Sequence, residues 1–478
     1  MKKNAKHLAF YLVTIGIAIF SLIAILNVGQ KNHPSEPSSL VTNTDWLLLI
    51  EQEFAKNMAV PITGLLIQIL IILLFSRICA SILKAFGQPQ VIGEMIAGIL
   101  LGKSVLAYFW PAGFETLFPD SSMPRLYFLS QIGLIFFMFV VGLDLKVSDL
   151  KNKASAAILV SHVSIVLPFL LGALLALGIY DIYEPPHVAF SSFALFMGIA
   201  MSITAFPVLA RIIQEKKLTN TPLGTMAITC AAIDDVTAWC VLAAVLGIVK
   251  AGSMITAVCV LGVSVLYVMG MLKIVKPSVL KILRPATTDG KFTRGQLAFV
   301  FFIVLASALI SEIIGIHALF GAFLAGTIMP QSISFRSSLI EKIEDLSAIV
   351  LLPIFFAYTG IRTQISLLDS WDAWFVCGCI IILAIIGKMV GSAMAARWAG
   401  MSWRESWALG ALMNTRGLME LIVLNIGYDL GILSPIIFSM MVVMAIVTTA
   451  MTGPLLSLFL PELRAKKQKV VSAARIKN

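Results

Sequence analysis

Charge is scarce in this sequence. Only 13% of its 478 residues are Asp, Glu, Lys or Arg, and mean hydropathy is +0.96. Soluble domains carry about 25% charged residues, so an ordinary water-soluble globule is excluded. The six cysteines (79, 230, 240, 259, 377 and 379) all fall in apolar runs. None has zinc-site spacing, and Cys377/Cys379 is only CxC, so free buried thiols are expected and no metal cofactor is implied. No stretch is long and polar enough for a large soluble domain, and the tail 461–478 is too short for a nucleotide-binding one. The formal net charge of +10 would suit a nucleic-acid partner. Position excludes that reading, because the basic residues lie in short segments between apolar runs, where they orient a membrane protein.

What the sequence has in abundance is apolar runs. A bilayer core of about 30 Å needs roughly 20 apolar residues per helix. By that rule spans fall near 8–27, 61–83, 91–109, 127–145, 155–179, 188–210, 222–249, 253–272, 296–312, 314–330, 346–361, 372–396, 405–427 and 434–460. The expected fold class is therefore an all-α polytopic membrane protein of 13–14 transmembrane helices. With the N-terminus in the cytoplasm and the spans alternating, cytoplasmic segments hold 26 of the 35 Lys and Arg and outer segments five. That asymmetry supports this topology, with the C-terminus and, if uncleaved, the N-terminus in the cytoplasm; a cell (inner) membrane is the expected location. Lys2, Lys3 and Lys6 before the first apolar run fit either a signal anchor or a cleavable signal peptide. No small-x-small cleavage site follows, which favours a retained helix. Three regions result: an N-terminal helix and outer linker (1–60), a transmembrane domain (61–460) and a basic cytoplasmic tail (461–478).

A weak repeat runs through the transmembrane region. Gly198-x-x-Met201-Ser202 recurs as Gly410-x-x-Met413-Asn414. Thr221-Pro222 and Ser434-Pro435 each place an N-cap residue before a Pro at the first helical position. Phe136-Phe137 before Gly142 echoes Phe355-Phe356 before Gly360. The paired spans run in opposite directions, so this is an inverted repeat, an architecture common in secondary transporters.

A charged side chain at the centre of a membrane helix costs about 2.5–3.5 kcal/mol on the insertion scale. The charges inside the spans are Arg77, Glu94, Lys103, Asp234, Asp235, Lys388, Arg416 and Glu420. Arg77, Glu94 and Lys103 are expected to reach an interface by snorkelling or by a shift of the span boundary. Asp234 and Asp235 stand mid-span and about 100° apart around a helix, so each can face a different partner. Carboxylate oxygens suit hard cations, and a carboxyl withdrawn from water holds its proton more tightly. A cation and proton site follows; a structural pair neutralised by a salt bridge is the bland alternative. Lys388 is also mid-span and would take one of the aspartates as partner, with Gly387 and Gly391 allowing close helix approach. Two spans look broken: one at Ser202-Ile-Thr204-Ala-Phe-Pro207, where the Pro frees a carbonyl, and one at Asn414-Thr415-Arg416-Gly417. Irregular backbone at that depth is tolerated only in protein or beside a cavity. Arg416 would neutralise helix C-terminal dipoles or pair with Glu420 at i+4.

At these residues the sequence resembles the monovalent cation:proton antiporter superfamily, in the branch of bacterial Na⁺/H⁺ and K⁺/H⁺ antiporters and plant cation/proton exchangers. The stretches that carry the resemblance include Gly87-Gln-Pro-Gln-Val-Ile-Gly-Glu94, Thr204-Ala-Phe-Pro-Val-Leu-Ala-Arg211, Ala232-Ile-Asp-Asp-Val236, Pro353-Ile-Phe-Phe356 and Asn414-Thr-Arg-Gly-Leu-Met-Glu420. The resemblance implies an inverted-repeat antiporter fold with two crossing discontinuous helices, a core and a dimerisation subdomain, and a homodimer. It implies that Asp235 carries the ion and proton, that Asp234 pairs with Lys388 until a monovalent cation binds, and that Thr204 helps line the site. Ser202, Pro207, Asn414, Thr415, Arg416 and Glu420 would form the crossing. The core would move as an elevator, exchanging Na⁺ or K⁺ for H⁺, and the two acids hint at electrogenic exchange. No enzyme activity is expected: an intramembrane aspartyl protease needs two converging carboxyls, and neighbours on one helix diverge. A cation channel or organic-solute transporter remains the alternative, although no carbonyl filter or organic-ligand pocket is recognisable.

Overall fold

The structure is a computed structural model describing residues 56–57, 60–144, 154–183, 188–219, 221–251, 254–289 and 292–460. The first span (8–27) and the tail (461–478) lie outside the described residues. The chain divides into two units, Met1–Thr63 and Gly64–Asn478; the site and its surroundings belong to the second.

Among the described residues there is no strand. In chain order the α-helices of eight or more residues are α1 (Pro61–Ala85), α2 (Gln90–Leu101), α3 (Met123–Asp144), α4 (Ala154–Tyr183), α5 (Phe190–Ser202), α6 (Phe206–Glu215), α7 (Pro222–Ala251), α8 (Met254–Gly270) and α9 (Lys276–Asp289). They continue with α10 (Arg294–Ile314), α11 (Ala318–Thr327), α12 (Ile333–Leu346), α13 (Leu352–Arg362), α14 (Trp371–Ile385), α15 (Gly391–Trp398), α16 (Trp403–Met413), α17 (Leu418–Asp429) and α18 (Pro435–Phe459). Among the described residues, ten helical stretches are long and apolar enough to cross a membrane, and α5 and α11 are shorter apolar helices. Only helices or closed barrels satisfy every backbone group inside lipid. Every span expected between 61 and 460 contains helix.

Two segments expected to be cytoplasmic loops are helical instead. The chain passes from α8 to α9 through a π-turn (Met271–Val275), where a basic loop over 273–295 was expected. Val279 and Leu283, one turn apart, are fully buried and give α9 an apolar edge. Phe335, Leu339 and Ile343 give α12 the same kind of stripe, and the two helices pack on each other. The stripes are too narrow to read as spans, which is why the basic residues dominated the expectation.

The repeat is visible in packing. Helix α2 meets α13 where a Cβ on Gly98 would strike the Ala357 backbone and one on Gly360 would strike Gly98. Helix α11 meets α3 in the same way at Gly326 and Gly142. The caps are less symmetric than the Thr-Pro and Ser-Pro pattern suggests. Thr221 Oγ1 accepts from Gly224 N–H at 3.0 Å, whereas Ser434 occupies the N-cap position without a side-chain bond.

Two sets of helices pack mainly within themselves. One comprises α2, α3 and α10 to α13; the other comprises α4 to α7 and α14 to α18. Both broken helices, α5/α6 and α16/α17, belong to the second set. In α5/α6 the extended residues Ile203 to Ala205 interrupt the helix, and Pro207 takes the second position of α6, where a missing N–H costs nothing. In α16/α17 the break ends at Gly417, whose φ of +156° suits no L side chain and whose Cβ would lie 2.9 Å from Val208 Cγ2.

Candidate ion-binding site

The two breaks cross each other. Ala205 N–H donates to the Thr415 carbonyl at 3.0 Å. Arg416 N–H donates to Thr449 Oγ1 at 2.9 Å, and that hydroxyl donates back to the Arg416 carbonyl at 2.8 Å. The buried Arg416 guanidinium reaches over the end of α5: Nη1 donates to the carbonyls of Ala200 (3.1 Å) and Ile203 (3.3 Å), and Nη2 to that of Met201 (2.6 Å). These are the carbonyls that a helix end leaves without intrahelical partners, and they carry the negative end of its dipole. Glu420 Oε1 lies 3.6 Å from Nη1, one turn along. Arg416 thus faces the helix carbonyls and Glu420 together.

Helix α7 brings Asp234 and Asp235 beside this crossing. Asp234 is fully buried and accepts from Ser161 Oγ, Ser164 Oγ (2.9 Å), Thr204 Oγ1 (2.7 Å) and Lys388 Nζ (2.8 Å). Lys388 Nζ donates to Asp234, to the Ser164 carbonyl (2.9 Å) and hydroxyl (3.2 Å), and to the Ser202 carbonyl. Both carbonyls are free for local reasons. Pro168 stands four residues after Ser164 inside α4 and has no N–H to offer it. Ser202 is the last residue of α5 before the break.

Lys388 sits in a π-turn, Ile386–Val390, between α14 and α15, a local widening frequent at functional sites. Gly387 brings this turn against α4 so closely that a Cβ would lie 2.7 Å from Pro168 Cα. Pro168 thus opens a carbonyl and also forms the surface on which the lysine helix rests.

Asp235 differs. It is 1% exposed, and neither carboxyl oxygen accepts a hydrogen bond. The backbone N–H of Phe206, at the start of α6, faces the carboxyl without closing such a bond. The neighbouring acids diverge: all four donors converge on one and none on the other.

Of the remaining residues read from sequence, Ser202 contributes its carbonyl, while its hydroxyl turns back to Gly198 O at 2.7 Å. Thr415 Oγ1 lies 3.4 Å from Thr452 Oγ1, away from the aspartates' hydrogen bonds. Asn414 caps α16, and its amide is buried with no partner for either end. Sequence reasoning missed Ser161 and Ser164. The available signal was two hydroxyls at i, i+3 in an apolar span, with a Pro four residues after the second.

A cavity of ≈ 510 Å³ opens between the two helix sets at one end of the bundle. Its walls include Arg77, Glu94, Val141, Arg211, Phe356 and Leu418, together with Phe206, the residue whose N–H faces Asp235. Arg77, which is exposed, and Glu94 both line this cavity. Helix α2 turns Glu94 inward because the face of α2 carrying Gly93 packs against α1 at Ala80.

Residues 69–461 match the family described as "Sodium/hydrogen exchanger, transmembrane". The chain is 44% identical over 392 residues to the Na(+)/H(+) antiporter NhaS4 of Synechocystis sp., covering 82% of this chain and 96% of that one. It is 39% identical to Cation/H(+) antiporter 17 of Arabidopsis thaliana over 82% of this chain and 48% of that one. It is 33% identical to K(+)/H(+) antiporter 1 of Saccharomyces cerevisiae over 86% of this chain and 48% of that one. The chain thus spans about half the length of the plant and yeast relatives. The solved structure of the sodium proton antiporter MjNhaP1 from Methanocaldococcus jannaschii superposes with a TM-score of 0.59 at 15% identity, covering 84% of this chain and 99% of that one. That likeness establishes a shared fold. With ten apolar helices long enough to span a bilayer and a family match over most of its length, this multi-pass membrane protein belongs to the sodium/hydrogen exchanger transmembrane family, a family of antiporters and not of enzymes.

Proposed function

We propose that the chain exchanges a monovalent cation, Na⁺ or K⁺, for H⁺ at Asp235. The observation that carries this reading is the asymmetry of the two acids: Asp234 is saturated with donors, and Asp235 is equally buried with none. An ionised carboxylate without a partner is very costly to bury. A proton or a cation neutralises it, and the two compete for the same oxygens. Only a loaded carrier crosses at low cost, so flux of one species is tied to counterflux of the other.

Asp234 is then the responsive partner. Lys388 acts as a tethered cation on it, and an arriving metal ion at Asp235 displaces the ammonium by competing for the same negative charge. Thr204, whose hydroxyl already reaches Asp234, lines the site. Arg416 holds the end of α5 without occupying it, so the unwound carbonyls stay ordered when the ion leaves. The set containing both broken helices is the moving core. The other set is the dimerisation scaffold of a homodimer, and the elevator displacement between them exposes Asp235 to each side in turn. The cavity end is cytoplasmic by the distribution of basic residues, in a cell (inner) membrane. One pH unit supplies about 1.4 kcal/mol per proton, enough to drive cation extrusion. Two acids at the site suit electrogenic exchange.

The test is dequenching of a pH-sensitive dye in proteoliposomes on addition of Na⁺, K⁺ and Li⁺ in turn. Asp235→Asn is expected to abolish the signal for every cation. Normal exchange by that variant would end the proposal.

A further inference from the structure

The cavity between the two helix sets lies at one end of the bundle. Helices α13 and α17 border it at their starts, through Leu352, Phe356 and Leu418. From Leu418 to Asp429 the chain climbs about 16 Å along α17. At that far end the two helices are fastened together by polar groups. Arg362, the last residue of α13, donates through Nη2 to Asp429 and through Nη1 to Asn425 Oδ1 at 3.1 Å. Asn425 Nδ2 donates to Thr359 Oγ1 at 2.9 Å. The guanidinium lies 4.4 Å from the centre of the Tyr428 ring and 5.2 Å from that of Tyr358. Tyr127 of α3 packs on Tyr358 at 5.7 Å, and its hydroxyl faces Asp429.

This cluster has three properties that suit a gate. It joins the two helix sets, since Tyr127, Tyr358, Thr359 and Arg362 belong to one and Asn425, Tyr428 and Asp429 to the other. It sits at the end opposite the cavity. It also remains partly wet: the Arg362 and Asp429 side chains are 14% and 33% exposed. A pair in contact with water separates at modest cost, unlike the dry Lys388–Asp234 pair. We propose that Arg362, clamped between Asp429, Asn425 and Tyr428, is the gate of the end opposite the cavity, and that it must release Asp429 before Asp235 can face that side. The proposal rests on the alternating-access reading above. It adds residues that lie outside the ion site and touch neither aspartate.

Two experiments test it. In an Arg362→Cys/Asp429→Cys variant reconstituted in liposomes, a short bifunctional thiosulfonate is expected to cut exchange to below about a tenth, and reductant to restore it. Wild-type protein treated identically controls for its six cysteines. Undiminished exchange by the cross-linked variant overturns the gate. The second experiment needs no transport activity. In a Thr359→Cys background, adding Arg362→Gln is expected to raise labelling by an impermeant maleimide from the far side about five-fold or more. Thr359 is fully buried beneath the clamp, so an unchanged labelling rate also overturns the gate. Absence of exchange in the wild type, by contrast, would sink the antiport reading while leaving this labelling result to judge the gate by itself.

Discussion

Removing Lys388 offers the sharpest test of the site's energetics. In Lys388→Met, Asp234 keeps its three hydroxyl donors but loses its counter-charge, and the carbonyls of Ser164 and Ser202 lose their donor. Breaking a buried ion pair from one side costs about 3–5 kcal/mol. Asp234→Asn should cost a similar amount, because it strands a buried ammonium. In the double variant no charge is stranded, and most of the loss should return, giving a coupling of about 3 kcal/mol or more. At roughly 2 °C per kcal/mol for a chain of this size, each single variant should melt about 6–10 °C below wild type in detergent. The double variant should melt no lower than the worse single one. Tryptophan-fluorescence melting of the four proteins closes the cycle. If the double variant loses the sum of the two single decrements, the pair is uncoupled and the tethered-cation account of Asp234 fails.

Two further outcomes follow from the same packing. Arg416→Gln should lose about 3–5 kcal/mol, because the carbonyls of Ala200, Met201 and Ile203 lose their donors and Glu420 loses its cation; adding Glu420→Gln should recover part of that loss in the same melting assay. Gly387→Val places a branched side chain where even a Cβ would lie 2.7 Å from Pro168 Cα. It should force α4 away from the π-turn and withdraw Lys388 from Asp234, which a fall in monodisperse yield on size-exclusion chromatography, or inactive protein at normal yield, would register. Wild-type yield and exchange would show that the close approach is dispensable.

Burial of charge is a local property, and the sequence by itself determined it. An acid or a lysine inside a long apolar run has to be enclosed by protein, so Asp234, Asp235, Lys388, Arg416 and Glu420 stand out without any structure. The same holds for the two interrupted helices, because Pro207 and Gly417 limit the backbone wherever they occur. What composition could not assign is the partner. Only the fold decided that the serines of α4 saturate Asp234 and leave Asp235 bare, since hydroxyls in an apolar run carry no mark of the direction they face. Only the fold placed Arg77 and Glu94 on a cavity wall, made helices of α9 and α12, and widened the turn that aims Lys388. Each of these depends on how closely two distant segments approach, a matter of ångströms set by Gly387 against Pro168 or Gly98 against Ala357. A hydrophobicity pattern reports which residues leave water; it does not report which residues they meet.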